Sequence, residues 1–408
     1  MERWWDYDPA PVPHDAERAK AELLERYMEA VRRQLVSDVP VGLLLSGGID
    51  SALLLALMGR QGRSWPTFTV GFGPEYPDDE LQDAAATARL FGADHHEIRL
   101  DRSAFEDDLA AVVDSLEEPI ASPSVVALSH VCRRARQDVK VAMIGQGPDE
   151  LFGGYTRHLG VRYGHLWRAL PDPLRQTVAG GLRHLRRAEA VHRGLHSLDE
   201  AQRLVRFQQV FSLLPGDAID SLFQEGVLPD GSGDAILDCW DGVEDAVARG
   251  DELGAFQYLE LRSALPDELL ICADKLSMRH GLELRVPYLD HELIEFIGQL
   301  PATLKIRHGT RKWLHRQVCR ELLPAHVVRR KKRGFAVDVV DRWYRESLEG
   351  QVGDTLLDPA SLLYGVLRPD RVRALVSDHR DGRRDNHKII HSLVVLEEWL
   401  RRTPVRLP

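Results

Sequence analysis

Val39-Pro40-Val41-Gly42-Leu43-Leu44-Leu45-Ser46-Gly47-Gly48-Ile49-Asp50-Ser51 is the stretch on which the fold turns. Its apolar run, Val41 to Leu45, predicts a buried strand. The run breaks at Ser46-Gly47-Gly48 and restarts as an apolar-periodic helix from Ala52 to Met58. The glycines allow a sharp turn with consecutive N–H groups exposed, and a helix N-terminus opens directly behind them. That combination suits phosphate or pyrophosphate. Ser46 and Ser51 add hydroxyl donors. Asp50 brings a negative charge into an anion site, which makes sense if it carries Mg²⁺. The plain alternative is that Asp50 caps its helix.

The stretch lacks the G-x-x-x-x-G-K-[ST] spacing of a Walker loop, and no G-x-G-x-x-G dinucleotide fingerprint fits it. It resembles the S-G-G-x-D-S loop of the PP-loop ATP pyrophosphatases, which split ATP into AMP and pyrophosphate. A Gly-rich turn with no ligand is the competing reading of six residues taken alone.

The 408 residues suffice for two or three domains. A net charge of −10 argues against a protein that coats nucleic acid. Cys132, Cys239, Cys272 and Cys319 are scattered without a C-x-x-C pair, so neither a zinc site nor a disulfide framework is expected, and a reducing cytoplasm is the expected location. The opening residues show no signal peptide, and no apolar run is long enough to span a bilayer.

From Trp4 to Pro13 the chain reads as extended and proline-punctuated. A helix is expected from about Asp15 to Val36, with Leu23, Leu24, Tyr27, Met28, Val31 and Leu35 on one face. Strands are then expected at Thr67–Phe72, His95–Leu100 and Val139–Ile144, separated by helices near Asp79–Phe91, Phe105–Ser115 and Val125–Arg134. This alternation predicts an α/β fold with a doubly wound parallel sheet, whose ligands sit beyond the carboxyl ends of the strands. Residues 1–13 read as a lead-in, 14–155 as the nucleotide-binding core and 156–408 as a large, mostly helical part, broken near Arg285-Val286-Pro287 and Arg333-Gly334-Phe335.

Three further motifs follow in order: Gly145-Gln146-Gly147-Pro148-Asp149-Glu150-Leu151-Phe152-Gly153-Gly154-Tyr155, Asp274-Lys275-Leu276-Ser277-Met278 running on to Asp290, and Arg329-Arg330-Lys331-Lys332-Arg333-Gly334-Phe335. Asp149 lies where a second carboxylate could hold a metal opposite Asp50. With the loop, these four motifs resemble the synthetase domain of glutamine-dependent asparagine synthetases and their relatives, including the β-lactam synthetases, over residues 14–345. Trp5-Asp6 resembles the linker that follows the glutaminase domain in full-length members.

The resemblance implies a PP-loop, adenine nucleotide α-hydrolase-like fold using ATP and Mg²⁺. By that resemblance Ser46, Gly47, Gly48, Asp50, Ser51 and Gly147 bind pyrophosphate, and Asp50 and Asp149 hold the metal. Leu45, Val70 and Gly145 line the adenosine pocket, and Lys332 offsets charge during adenylation. Two departures stand out. No glutaminase half precedes the motifs, so the expected nitrogen source is ammonia, another amine or a separate glutaminase. Gln146 replaces the acid or tyrosine of other members; it can orient a nucleophile but not accept its proton. Glu283 is then the candidate base, although Glu283 and Arg285 read equally well as a structural ion pair. The basic run around Lys332 reads otherwise as a solvated face, and His95-His96 as strand residues with no metal role.

The resulting expectation is an amide-forming ligase for a small-molecule carboxylate and ammonia or an amine, with aspartate as the leading acid. The alternatives are a natural-product amide synthetase or intramolecular cyclase, a silent nucleotide-binding subunit and, least favoured, a tRNA-modifying enzyme. The expected protein partners are a glutaminase, another biosynthetic protein or further copies of the chain, with no nucleic acid and no membrane.

Overall fold

The computed structural model describes residues 5–76, 79–183, 189–228, 240, 243–330, 339, 342–343 and 351–404. The chain forms two compact units. The first comprises Met1–Ser115, Ser124–Leu159 and Asp245–Ala336; the second comprises Leu116–Pro123, Gly160–Glu244 and Val337–Pro408. The division is therefore not the sequential one at residue 155, because the segment from Asp245 returns to the unit that holds the sheet.

In the first unit, α1 (Ala16–Gln34) starts where Asp15 accepts hydrogen bonds from the N–H groups of Glu17 and Arg18. Its core face carries Leu23, Tyr27 and Val31, whereas Met28 is exposed. Then come β1 (Val41–Leu44), α2 (Ile49–Gly59), β2 (Pro66–Gly71), α3 (Leu81–Leu90), β3 (Asp94–Arg99), α4 (Arg102–Leu116), α5 (Val125–Ala135), β4 (Val141–Ile144) and α6 (Pro148–Phe152). The alternation expected from the apolar runs is thus present. The α2 helix buries nearly every side chain from Ile49 to Met58, as a helix apolar on all faces must.

The sheet is entirely parallel, in the order β3-β2-β1-β4-β5. From β1 the chain moves outward through β2 to β3, then crosses back to place β4 on the other side of β1. The direction of winding reverses between β1 and β4, and this reversal opens the crevice in which such sheets take ligands. Leu44 pairs with Ile144, so the loops beginning at Leu45 and Gly145 leave the sheet side by side.

The fifth strand, Glu283–Arg285, corrects the helical reading of that region. Three residues with charged ends carry no strand periodicity; the segment pairs because β4 offers it an open edge. The lead-in is extended, as its prolines suggest, but fastened down. Trp5 Nε1 donates to Glu295, Asp6 pairs with Arg262, and Tyr7 packs so closely on Gly298 that a Cβ there would lie 2.5 Å from its ring.

The second unit is helical, with Asp172–Arg183, Glu189–Leu198, Arg203–Phe211, Pro369–Arg380 and His387–Arg402 among its elements. Its buried Glu397 accepts from Ser361 Oγ at 3.0 Å and from the Leu363 N–H at 3.1 Å, closing one turn onto the last helix. The thiols of Cys132, Cys272 and Cys319 are buried, and Cys239 lies outside the described residues. No helix among the described residues is long and apolar enough to cross a membrane.

Candidate active site

The loop after β1 is braced from within. Ser51 Oγ accepts from the Ser46 N–H at 3.1 Å and lies 3.0 Å from Ser46 Oγ, which accepts from the Gly48 N–H at 3.2 Å. Ser51 is therefore a buried brace of the turn. Leu45 is fixed to β2 through its N–H to the Phe68 carbonyl and through Thr69 Oγ1 to its own carbonyl. Leu45 and Val70 are both buried at this strand edge. The Gly47 N–H donates to Glu80 Oε2 at 3.1 Å, and the Gly47 carbonyl accepts from Arg330 at 3.2 Å. A carboxylate thus already holds one of the loop's donors.

The second loop starts at Gly145, where a Cβ would lie 3.0 Å from the Ser51 N–H nitrogen. Gly147 follows with φ +112°, a conformation that glycine supplies without steric penalty. Pro148 then opens α6 and turns Asp149 toward Asp50. Gln146 is half-buried, and its Oε1 is shut from water with no hydrogen-bond donor among the described residues.

The two carboxylates meet on a residue that the motifs did not mark. Lys312 Nζ lies 2.7 Å from Asp50 Oδ2 and 2.8 Å from Asp149 Oδ1, with its side chain 4% exposed. Burial alone would lower the affinity of its ammonium for the proton, but Asp149 and Asp50 outweigh burial and hold it above the ordinary lysine range. Lys312 adopts φ +53°, in the left-handed region, immediately before the helix Trp313–Leu322. A non-glycine residue in that conformation is held there by its surroundings. Gly154 makes the contact possible, since a Cβ there would fall 1.8 Å from Asp149 Oδ1 and 2.3 Å from Lys312 Cε. The Tyr288 hydroxyl donates to the Asp50 carbonyl at 2.8 Å, and His315 Nε2 stands 3.0 Å from Asp50 Oδ1.

This arrangement fits Mg²⁺. Two hard carboxylate donors converge on one point, where a cation already stands. Among the described residues no group of three or more His, Cys, Asp or Glu side chains could hold a metal. Mg²⁺ characteristically uses one or two carboxylates and completes its shell with phosphate oxygens and water.

Behind α6 lies a buried acidic network that the motifs hinted at only through Glu150. Tyr155 OH donates to Glu150 Oε1 at 2.6 Å, and burial, with Asp149 and Glu260 nearby, raises the Glu150 carboxyl well above the carboxylate range. Glu260 lies opposite His158 at 2.9 Å and is paired with Arg157; despite its burial, these two hold it charged. The two acids are thereby separated into one that favours its proton and one that does not.

One expected residue, Glu283, lies away from this site. Glu283 pairs in register with Val141 at the amino end of the sheet, about 13 Å along the strand from Gly145. Its partner is Arg285 at 2.6 Å, and its side chain is 55% exposed. Glu283 is thus ion-paired to Arg285 in an exposed rather than a buried setting. Lys332 lies outside the described residues. Arg330, the last described residue before it, contacts Asp83, Thr87 Oγ1 and the Gly47 carbonyl beside the loop.

The chain is similar to known proteins over most of its length. The family model described as Asparagine synthase matches residues 22–401. A Mycobacterium tuberculosis protein, provisionally named asparagine synthetase (glutamine-hydrolyzing), is 32% identical over 401 residues, covering 96% of this chain and 59% of that protein. Asparagine synthetase (glutamine-hydrolyzing) 1 of Bacillus subtilis is 26% identical, covering 95% and 60%. Amidase chyE of Penicillium rubens is 28% identical, covering 75% and 50%. The chain spans about three-fifths of the length of its asparagine synthetase relatives. With nearly the whole chain matched, and with the strand-edge loops that carry its motifs folded onto one site, the protein belongs to the asparagine synthase family.

Proposed function

We propose that the chain is an ATP-dependent amide-forming ligase that proceeds through an acyl-adenylate. A carboxylate oxygen of the acid substrate bonds to the α-phosphorus of ATP as the bond from that phosphorus to the bridging oxygen breaks, and pyrophosphate leaves. Nitrogen of ammonia or an amine then bonds to the acyl carbon, the C–O bond to AMP breaks, and the nitrogen's proton passes to solvent or to a base. The supporting observation is the convergence of Asp50 and Asp149, from loops at the winding reversal, on Lys312 Nζ.

In this reading the loop N–H groups of Gly47 and Gly48 face the pyrophosphate, and Asp50 and Asp149 are the residues that would hold Mg²⁺. The ion supplies charge neutralisation on the phosphate oxygens, a contribution of several kcal/mol. Lys312 keeps a fixed positive charge between the two carboxylates, where negative charge builds as pyrophosphate departs. By resemblance, Lys332 adds a second cation. The Gln146 Oε1 acceptor is suited to orient an N–H of the incoming amine; it takes up no proton, so the amine must arrive neutral.

The leading substrates are aspartate and ammonia. A natural-product amide synthetase is the second reading, supported by Gln146 in place of an acid and by the similarity to proteins named amidases. A silent nucleotide-binding subunit is disfavoured by an intact Asp50–Lys312–Asp149 cluster built on a buried lysine. The test is pyrophosphate release from MgATP with a panel of carboxylic acids and either ammonium or glutamine. Release with aspartate and ammonium supports the leading reading. Release only with another acid moves the substrate, and ATP binding without release under any condition refutes the ligase.

A further inference from the structure

His315 is fully buried in the first turn of the helix Trp313–Leu322, and both its side chain and that of Lys312, the residue that precedes this helix, reach Asp50. Its Nε2 lies 3.0 Å from Asp50 Oδ1, an approach that falls short of full hydrogen-bond alignment. Its Nδ1 lies 2.7 Å from the buried Tyr27 hydroxyl. The ring is enclosed by Tyr27, Phe152 and Tyr288, with centroids 5.7, 5.6 and 5.8 Å away.

A carboxylate can only accept, so the nitrogen facing Asp50 is the one that carries hydrogen. Among the described residues the buried Tyr27 hydroxyl has no hydrogen-bond acceptor other than Nδ1. The Tyr27 hydroxyl must then be the donor to Nδ1. Tyr27 thereby selects the tautomer, and the tautomer determines what Asp50 meets. An apolar side chain would fill this aromatic box without desolvating two polar groups, so their presence calls for a task.

We propose that His315, locked by Tyr27 with its Nε2–H toward Asp50 Oδ1, is a positioning residue for Asp50, leaving Oδ2 to face Lys312 and the cation that accompanies ATP. This rests on the reading of Asp50 as a metal-holding carboxylate. With the Tyr288 hydroxyl on its carbonyl, Asp50 is then held at three atoms by three residues. Partners of this kind orient metal-binding carboxylates, and their loss typically weakens metal binding about 10- to 100-fold.

The test compares wild type with His315→Leu, His315→Gln, Tyr27→Phe and Asp50→Asn, each checked for native circular dichroism. ATP binding is measured by calorimetry with Mg²⁺ and with EDTA. His315→Leu is expected to weaken Mg²⁺-dependent binding about 10- to 100-fold while leaving binding in EDTA unchanged. His315→Gln, which retains an N–H donor, should recover most of the loss. If His315→Leu fails to fold, Tyr27→Phe carries the test, since it removes a single hydroxyl. Nitrogen-15 NMR of the wild-type ring should show Nε2 protonated, and Tyr27→Phe should give a mixture of tautomers.

Normal Mg²⁺-dependent binding in folded His315→Leu, no recovery with Gln, or a protonated Nδ1 would overturn the proposal. If Asp50→Asn loses binding while His315→Leu does not, the role of His315 alone fails. If Asp50→Asn also binds normally, the reading of Asp50 fails and the role of His315 goes with it.

Discussion

The ammonium of Lys312 stands 2.7 Å from the carboxylate of Asp50, across 262 residues of sequence, and the same nitrogen reaches Asp149 at 2.8 Å. One buried cation thus serves two carboxylates, and those carboxylates offset the cost of burying its charge. Removing the cation leaves two largely enclosed anions, with side chains 17% and 14% exposed, without their shared counter-charge. The expected loss of stability in Lys312→Met is about 3–5 kcal/mol, the usual penalty for breaking a buried charged cluster on one side. Because Mg²⁺ can take up the orphaned charge, thermal unfolding should show Mg²⁺ raising the midpoint more in Lys312→Met than in wild type. Equal shifts would contradict a shared metal role for Asp50 and Asp149.

Glu80 holds the Gly47 N–H that the proposed chemistry assigns to pyrophosphate. An arriving phosphate must displace this carboxylate and meets its charge on the way. Glu80→Gln keeps the side-chain shape and removes the repulsion, so inhibition by added pyrophosphate should become tighter. Weaker inhibition would instead show that the charge of Glu80 orders the loop for its ligand.

Gly154→Ala tests the packing between Asp149 and Lys312 directly. Its Cβ would enter the space now held by Asp149 Oδ1 and Lys312 Cε, so at least one of them must move by an ångström or more. Displacements of that size in a positioned site can lower rates about 100-fold. A folded Gly154→Ala protein with full pyrophosphate release would show that this contact is dispensable.

The part of the fold that builds this site was legible where backbone chemistry is written locally. Val41–Leu44 and Val141–Ile144 are short apolar segments followed within three residues by glycine, and they are neighbouring strands whose following loops leave the sheet side by side. Glu283–Arg285 was not legible, because three residues with charged ends pair through the edge that β4 offers and not through any pattern of their own. The same limit explains Lys312, His315 and Glu80. Each makes contacts with residues distant in the chain, and such contacts have no period. The clues that did exist were weaker: a lysine and a histidine at helical spacing, and an acid just ahead of the α3 helix.

The second unit offers a pH-dependent test independent of the active site. Burial holds the His391 imidazole neutral, with its pKa lowered to about 4 from 6.5. A depressed histidine pKa means that the unfolded chain takes up the proton first. The stability that His391 contributes is therefore complete above pH 6.5 and is lost as the pH falls toward 4. Wild type should lose roughly 2 kcal/mol more than His391→Leu between pH 6.5 and pH 5, measured by denaturant unfolding. Parallel pH profiles would show that His391 is not held neutral.

The central claim is that this site cleaves ATP at the α-phosphorus to make an acyl-adenylate, and isotope exchange in the absence of an amine tests it most directly. Labelled pyrophosphate, MgATP and the cognate carboxylic acid are incubated with the enzyme, and label entering ATP is counted. The account predicts acid-dependent exchange by wild type and none by Asp50→Asn. Acid-dependent formation of ADP and phosphate, with no exchange, would contradict it.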